Sequence, residues 1–161
     1  MGFASHLGPW LLGTVKNTTG TTAGTIRNMG ATVVTQSATT TVSDTTATTL
    51  FVLPAGAQIN NFLVDITTAY AGTTGNTITI QTAAGASLAT VGGATTTPLA
   101  VGRATVANTG AQVGTYVNVG TSDLIIQVIY ACAGTASGGA ATITCSYTVR
   151  DSDGSANPSQ V

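Results

Sequence analysis

Apolar and polar positions alternate with a period of two along much of residues 31–149. Positions two apart lie on one face of a strand, so this alternation predicts half-buried β-strands. The clearest stretch is residues 48–70. Leu50-Phe51-Val52-Leu53 precedes Pro54-Ala55-Gly56, and a second apolar run follows. This reads as strand, tight turn, strand, because proline presets φ for a turn and glycine accepts φ > 0. In the second strand Phe62, Val64 and Ile66 alternate with Asn61, Leu63, Asp65 and Thr67. The first set is expected inward, and Asp65 outward or toward a subunit boundary.

The same reasoning places strands at 31–36, 76–81 and 87–91, with Ile78 and Ile80 inward. Residues 37–47 read as a polar connection or a short edge strand. Residues 96–101 make a weaker strand, confined by Pro98 to an edge or bulge. Residues 102–112, with Arg103, read as a long loop. Residues 113–119 read as a strand, with Val113, Thr115, Val117 and Val119 on one side and Tyr116 on the other. Residues 124–132 and 141–149 read as a final hairpin. A register with Cys132 opposite Cys145 sets Tyr130 against Tyr147 and Val128 against Val149. Thr142, Thr144, Ser146 and Thr148 then meet solvent. Short strands divided by Gly-rich turns predict an all-β protein, an antiparallel β-sandwich of jelly-roll-like form. No fixed repeat period is visible, which argues against a solenoid or propeller.

Residues 1–30 differ from the rest. Glycines and Pro9 interrupt any period, yet Trp10, Leu7, Leu11 and Leu12 stand there beside Lys16 and Arg27. Such anchors suit an extended N-terminal arm, which either folds back on its own domain or reaches a neighbouring subunit or an underlying surface. The chain thus divides into the arm (1–30), a β-sandwich domain (31–150) and a polar C-terminal tail (151–161).

Composition sharpens this picture. Hydrophobic residues make up 43% of the 161 and charged residues 6%, the reverse of a disordered chain. The basic side chains Lys16, Arg27, Arg103 and Arg150 do not cluster, so nucleic-acid binding through a basic patch is not expected. No apolar run approaches the ~20 residues of a membrane-spanning helix. The first residues lack a basic n-region, so a soluble protein made in the cytoplasm is expected. His6 is the sole histidine and glutamate is absent, which argues against catalytic triads and paired-carboxylate chemistry. Asp151-Ser152-Asp153-Gly154 lacks the remaining ligands of a calcium loop. No enzyme activity and no cofactor or metal is expected. Cys132 and Cys145 are open to a cross-strand disulfide or to two thiols, and a cytoplasmic origin favours the thiols. An uncharged, β-branched surface suits permanent association, because it is buried without desolvating charge.

The segment Leu53-Pro54-Ala55-Gly56-Ala57-Gln58-Ile59, continued by Val64-Asp65-Ile66-Thr67-Thr68-Ala69-Tyr70, Gly72, Thr73 and Asn76-Thr77-Ile78, resembles a pattern in small head proteins of tailed bacteriophages. The opening Met1-Gly2-Phe3-Ala4-Ser5 with Gly8-Pro9-Trp10 is similar to the starts of small phage virion proteins. The resemblance implies a capsid decoration, or cement, protein on the exterior of the virion. It also implies a homotrimer bound at the joints between capsomers of the major capsid protein. Trp10, Leu11, Leu12, Lys16 and Arg27 of the arm are the expected attachment residues. A second class is a phage fibre or adhesin-type module that binds receptor glycans, for which Tyr70 and Tyr116 are the candidate aromatics.

Overall fold

The computed structural model describes residues 33–72, 74–93 and 99–149. The described strands are β1 (Val33–Thr41), β2 (Thr48–Leu53), β3 (Gln58–Thr68), β4 (Thr74–Thr82), β5 (Ser87–Gly92), β6 (Gly102–Ala104), β7 (Ala107–Asn108), β8 (Leu124–Ala133) and β9 (Ala140–Thr148). A 3₁₀ turn (Gly110–Gln112) and a one-turn helix, α1 (Val113–Val117), lie between β7 and β8.

These strands form two antiparallel sheets, ordered β1-β9-β3-β6 and β2-β8-β4-β5-β7. The pairings nest: β1 with β9, β2 with β8, β3 with β6, and β4 with β5. The chain is therefore one long antiparallel hairpin, its tip between β4 and β5, rolled up on itself. Pairing of β9 with β3 and of β8 with β4 completes the two sheets. Eight strands in this order make a jelly roll, and β7 adds a short strand beside β5.

The inward positions fill the space between the sheets. Phe62, Val64 and Ile66 of β3 are buried, as the alternation predicts, and meet Ile78 and Ile80 of β4, Ile126 and Val128 of β8 and Ile143 of β9 in one cluster. Each such side chain contributes ~1.5–3 kcal/mol on burial.

The rolled topology corrects several expectations. The turn at residues 54–57 forms, with the Ala57 N–H donating to the Pro54 carbonyl at 3.1 Å and Gly56 at φ 72°. A positive φ at the third turn position favours glycine. The turn joins two different sheets, however, so β2 and β3 do not pair. The expected hairpin of residues 124–132 and 141–149 is also absent. β8 and β9 lie in opposite sheets, with Tyr130 beside Ile78, Tyr147 beside Val34, and Cys145 between Gln36 and Phe62. The inward faces were legible, but the same alternation serves a hairpin and two strands of facing sheets. The connection decides: Val42 N–H donates to the Gly139 carbonyl and Ala71 N–H to that of Gly138, carrying the chain across.

Residues 113–119 contain a helix rather than a strand. Val113 and Val117 are four apart, a spacing shared by a strand face and a helix face. The Tyr116 ring packs edge-on against Phe62, 6.2 Å between centroids, and its hydroxyl donates to the Leu88 carbonyl at 3.0 Å. That anchor is satisfied by a helical turn capping the roll. β1 runs on to Thr41, so of the two readings of residues 37–47, polar connection or short edge strand, residues 37–41 are edge strand. Of the expected weak strand at 96–101, residues 96–98, with Pro98, lie outside the described residues, and Leu99 forms an isolated bridge with Tyr70. Arg103 belongs to β6, not to a loop.

Candidate interaction surfaces

The two ends of the roll differ in chemistry. One end carries the β1–β2, β3–β4, β5–β6 and β8–β9 connections and is tied by buried polar bonds. Asn76 is fully buried. Its Oδ1 accepts from the Tyr130 hydroxyl at 2.6 Å and from the Gly72 N–H at 3.2 Å, and its Nδ2 donates to the Gly72 carbonyl at 3.2 Å. Tyr70 packs against Tyr130 with centroids 4.8 Å apart and donates its hydroxyl to the Thr40 carbonyl. Burial pushes the Tyr70 pKa up to about 12, with smaller effects from Thr40 and Asp44. A bonded and enclosed phenol suits a structural lock.

The opposite end holds the 54–57 turn, the β4–β5 tip, α1, Val33 at the start of β1 and Thr148 at the end of β9. The chain therefore enters and leaves the described sandwich at this end. It is held by the Gly56 N–H to the Gly120 carbonyl, Val119 N–H to that of Ala57, and Ala55 N–H to Asp123 Oδ1. Six large apolar side chains stand exposed among the described residues: Val33, Val52, Val101, Val113, Val117 and Ile125. Five of them, all but Val101, belong to this end. Val52 and Ile125 are direct cross-strand partners on the outer face of the five-stranded sheet. Val113 and Val117 project from α1 with no buried residue on that helix.

Both outer sheet faces are nearly free of charge. On the four-stranded sheet, β1 offers Thr35, Ser37 and Thr39 beside Ser146, Thr144 and Thr142 of β9. Ser37 and Thr144 share a hydroxyl hydrogen bond of 2.8 Å. Arg103 is the single basic side chain among the described residues. Its guanidinium grips Asp65 with two bonds of 2.9 Å. That hydrogen bond holds the Asp65 carboxyl below its ordinary pKa and raises that of Arg103. Asp65 thus points outward, as expected, and is neutralised in place.

The expected attachment residues Trp10, Leu11, Leu12, Lys16 and Arg27 lie outside the described residues. Cys132 and Cys145 are free thiols in opposite sheets and form no disulfide. Cys132 is half-buried and donates to the Gly134 carbonyl, whereas burial pushes the Cys145 pKa up to about 12. The glycan-reading candidates do not fit that task. Tyr70 is wholly buried, and the hydroxyl of half-buried Tyr116 is engaged by Leu88 and Asn108. Among the described residues no three His, Cys, Asp or Glu side chains gather as metal ligands, and no helix is long and apolar enough to cross a membrane. The apolar end was missed in the sequence, although the unbroken run Leu50-Phe51-Val52-Leu53 signals a strand apolar on its outer side too.

No family model matches this chain, and no curated protein matches it. Among solved structures it is similar to a chain of the Cyanophage Pam1 capsid asymmetric unit. The TM-score is 0.43 and the sequence identity 16%, over 75% of this chain and 87% of that one.

Proposed function

We propose that this chain is a non-enzymatic structural protein of a phage head, a cement protein that binds the exterior of the shell between capsomers of the major capsid protein. The observation that carries the reading is the chemistry of the end from which the arm departs. Val33, Val52, Val113, Val117 and Ile125 are exposed there, and the adjoining residues 1–30 bring Trp10, Leu11 and Leu12. Apolar surface on a folded body, next to an arm with its own apolar anchors, suits docking on a large protein partner. The segment that resembles phage head proteins supports the same reading from the sequence side. It forms the 54–57 turn at this end and most of β3, so it serves as framework for the docking end.

In this reading the roll is the rigid body and the arm the tether. Trp10, Leu11 and Leu12 enter pockets on the shell, and Lys16 and Arg27 pair with its acidic groups. The purified chain should bind empty capsid shells and raise the temperature at which they break open. Trp10→Ala should weaken that binding by about 2 kcal/mol or more, as for a central aromatic anchor. A folded chain that never sediments with shells would refute the cement role. Occupancy unchanged by Trp10→Ala would refute only the anchor.

A further inference from the structure

The four sheet edges are protected very unequally. Exposed strand edges invite pairing with other chains, and proteins blunt them with short strands, charge, proline or bulges. β6 has three residues and carries the Arg103–Asp65 ion pair. β7 has two residues. β2 has six, is broken by a register shift between Thr49 and Phe51, and has its Val52 carbonyl within 3.5 Å of the Gln36 amide nitrogen. β1 has none of these devices from Val33 to Thr39, and only at Thr41 is its edge covered, where the Asp44 carboxylate accepts from the Thr41 N–H at 2.7 Å and the Asp44 N–H donates to the Thr41 carbonyl at 3.1 Å. The strand runs for nine residues, Val33-Val34-Thr35-Gln36-Ser37-Ala38-Thr39-Thr40-Thr41, without charge, glycine or proline, and pairs with β9 in unbroken register.

We infer that β1 is a self-association edge, and that its occupant is β1 of a second copy, laid antiparallel across a two-fold axis at Ser37. The sequence of the strand argues for this occupant. A two-fold contact sets each residue against its symmetry mate, so any charge near the axis would meet its like; β1 has none. Centring on Ser37 pairs Thr35 with the partner's Thr39 and Gln36 with the partner's Ala38 on either side of the axis, and the ladder ends before Thr41, whose backbone groups are held by Asp44. Cross-strand threonine pairs of this kind are favourable. Inward-facing Val34 and Ala38, which pack on the core but are only partly buried, gain cover from the partner. The two four-stranded sheets then join into one, with the Ser/Thr face continuous across the axis. This contact needs no capsid, and it closes at two copies. The trimer implied by the family resemblance would need a different, heterologous contact.

The test uses the full chain at a range of concentrations, with mass measured by light scattering and sedimentation. A two-copy species is expected. Ser37→Lys places two ammonium groups across the axis and should weaken association roughly tenfold or more. Thr142→Lys, on the same outer face but on interior strand β9, should leave the mass unchanged. In a Cys132→Ala background, Ser37→Cys should give an intermolecular disulfide on mild oxidation, since opposed residues across a strand pair have Cβ atoms about 5 Å apart. A monomer at all concentrations would overturn the inference. So would a trimer or other oligomer that Ser37→Lys leaves intact and that Ser37→Cys fails to cross-link. Circular dichroism of each variant separates lost association from lost folding.

Discussion

Asn76→Ala should be among the most destabilising single changes in the roll. The side chain is fully buried and makes three hydrogen bonds at the junction of the β3–β4 connection with β8. Alanine leaves three enclosed groups without these partners: the Tyr130 hydroxyl, the Gly72 N–H and the Gly72 carbonyl. An unpaired buried polar group costs ~1–3 kcal/mol, and partial entry of water offsets some of it, so the sum is about 3–5 kcal/mol. Tyr130→Phe removes one donor only. Asn76 Oδ1 then keeps the Gly72 N–H, and the expected loss is about 1 kcal/mol. Urea unfolding followed by far-UV circular dichroism reads both. With a slope near ~2 kcal/mol/M, the midpoint should fall by about 2 M for Asn76→Ala and about 0.5 M for Tyr130→Phe. The double variant should lose less than the sum, because removing both partners strands fewer groups. Equal losses for the two single variants, or a midpoint shift under ~0.5 M for Asn76→Ala, would refute the lock.

Three further outcomes follow from the geometry. In the native state one thiol, Cys132, should react with an aromatic disulfide reagent, and Cys145 should react only after unfolding; a mass unchanged by reductant completes that check. The stability contributed by the Cys145 thiol should be complete below pH 9 and fall above it. The unfolded thiol ionises near 9 and the folded one near 12, so its proton is held longer by the native state. The expected slope is about 1.4 kcal/mol per pH unit for Cys145, joined above about pH 10 by Tyr70. A series of thermal midpoints in which Cys145→Ala removes the decline between pH 9 and 10 would support this, and an unchanged decline would count against it. Gly139→Ala should be poorly tolerated: its φ is 149°, and an added Cβ collides with the Tyr70 ring. Its thermal midpoint should drop well below that of Gly138→Ala, whose Cβ meets open space.

Much of this protein was written in its one-dimensional pattern. Alternation identified the core faces of β3, β4, β8 and β9, and Pro54-Ala55-Gly56 marked a real turn. These features depend on near neighbours in the chain, where side-chain period and φ preference act directly. Strand partners are another matter. A strand alternates identically whether its neighbour in sequence lies beside it or across the core, so the β8–β9 and β2–β3 relationships were invisible until the connections were seen. The Val-x-x-x-Val spacing of Val113 and Val117 was equally ambiguous, and only the contact of Tyr116 with Phe62 and Leu88 selected the helix.

The candidate surfaces show the same division. The sequence by itself determined that the protein would be nearly uncharged, rich in hydroxyls and poor in the groups that catalysis uses, because composition is indifferent to folding. Only the tertiary structure decided that Val33, Val52, Val113, Val117 and Ile125, scattered from β1 to β8, gather at one end, and that β1 alone among the described edges is long and, from Val33 to Thr39, without protection. Both are consequences of the roll. Nesting the strands as one hairpin sets distant residues side by side, and it leaves at the margin of each sheet whichever strand the winding places last.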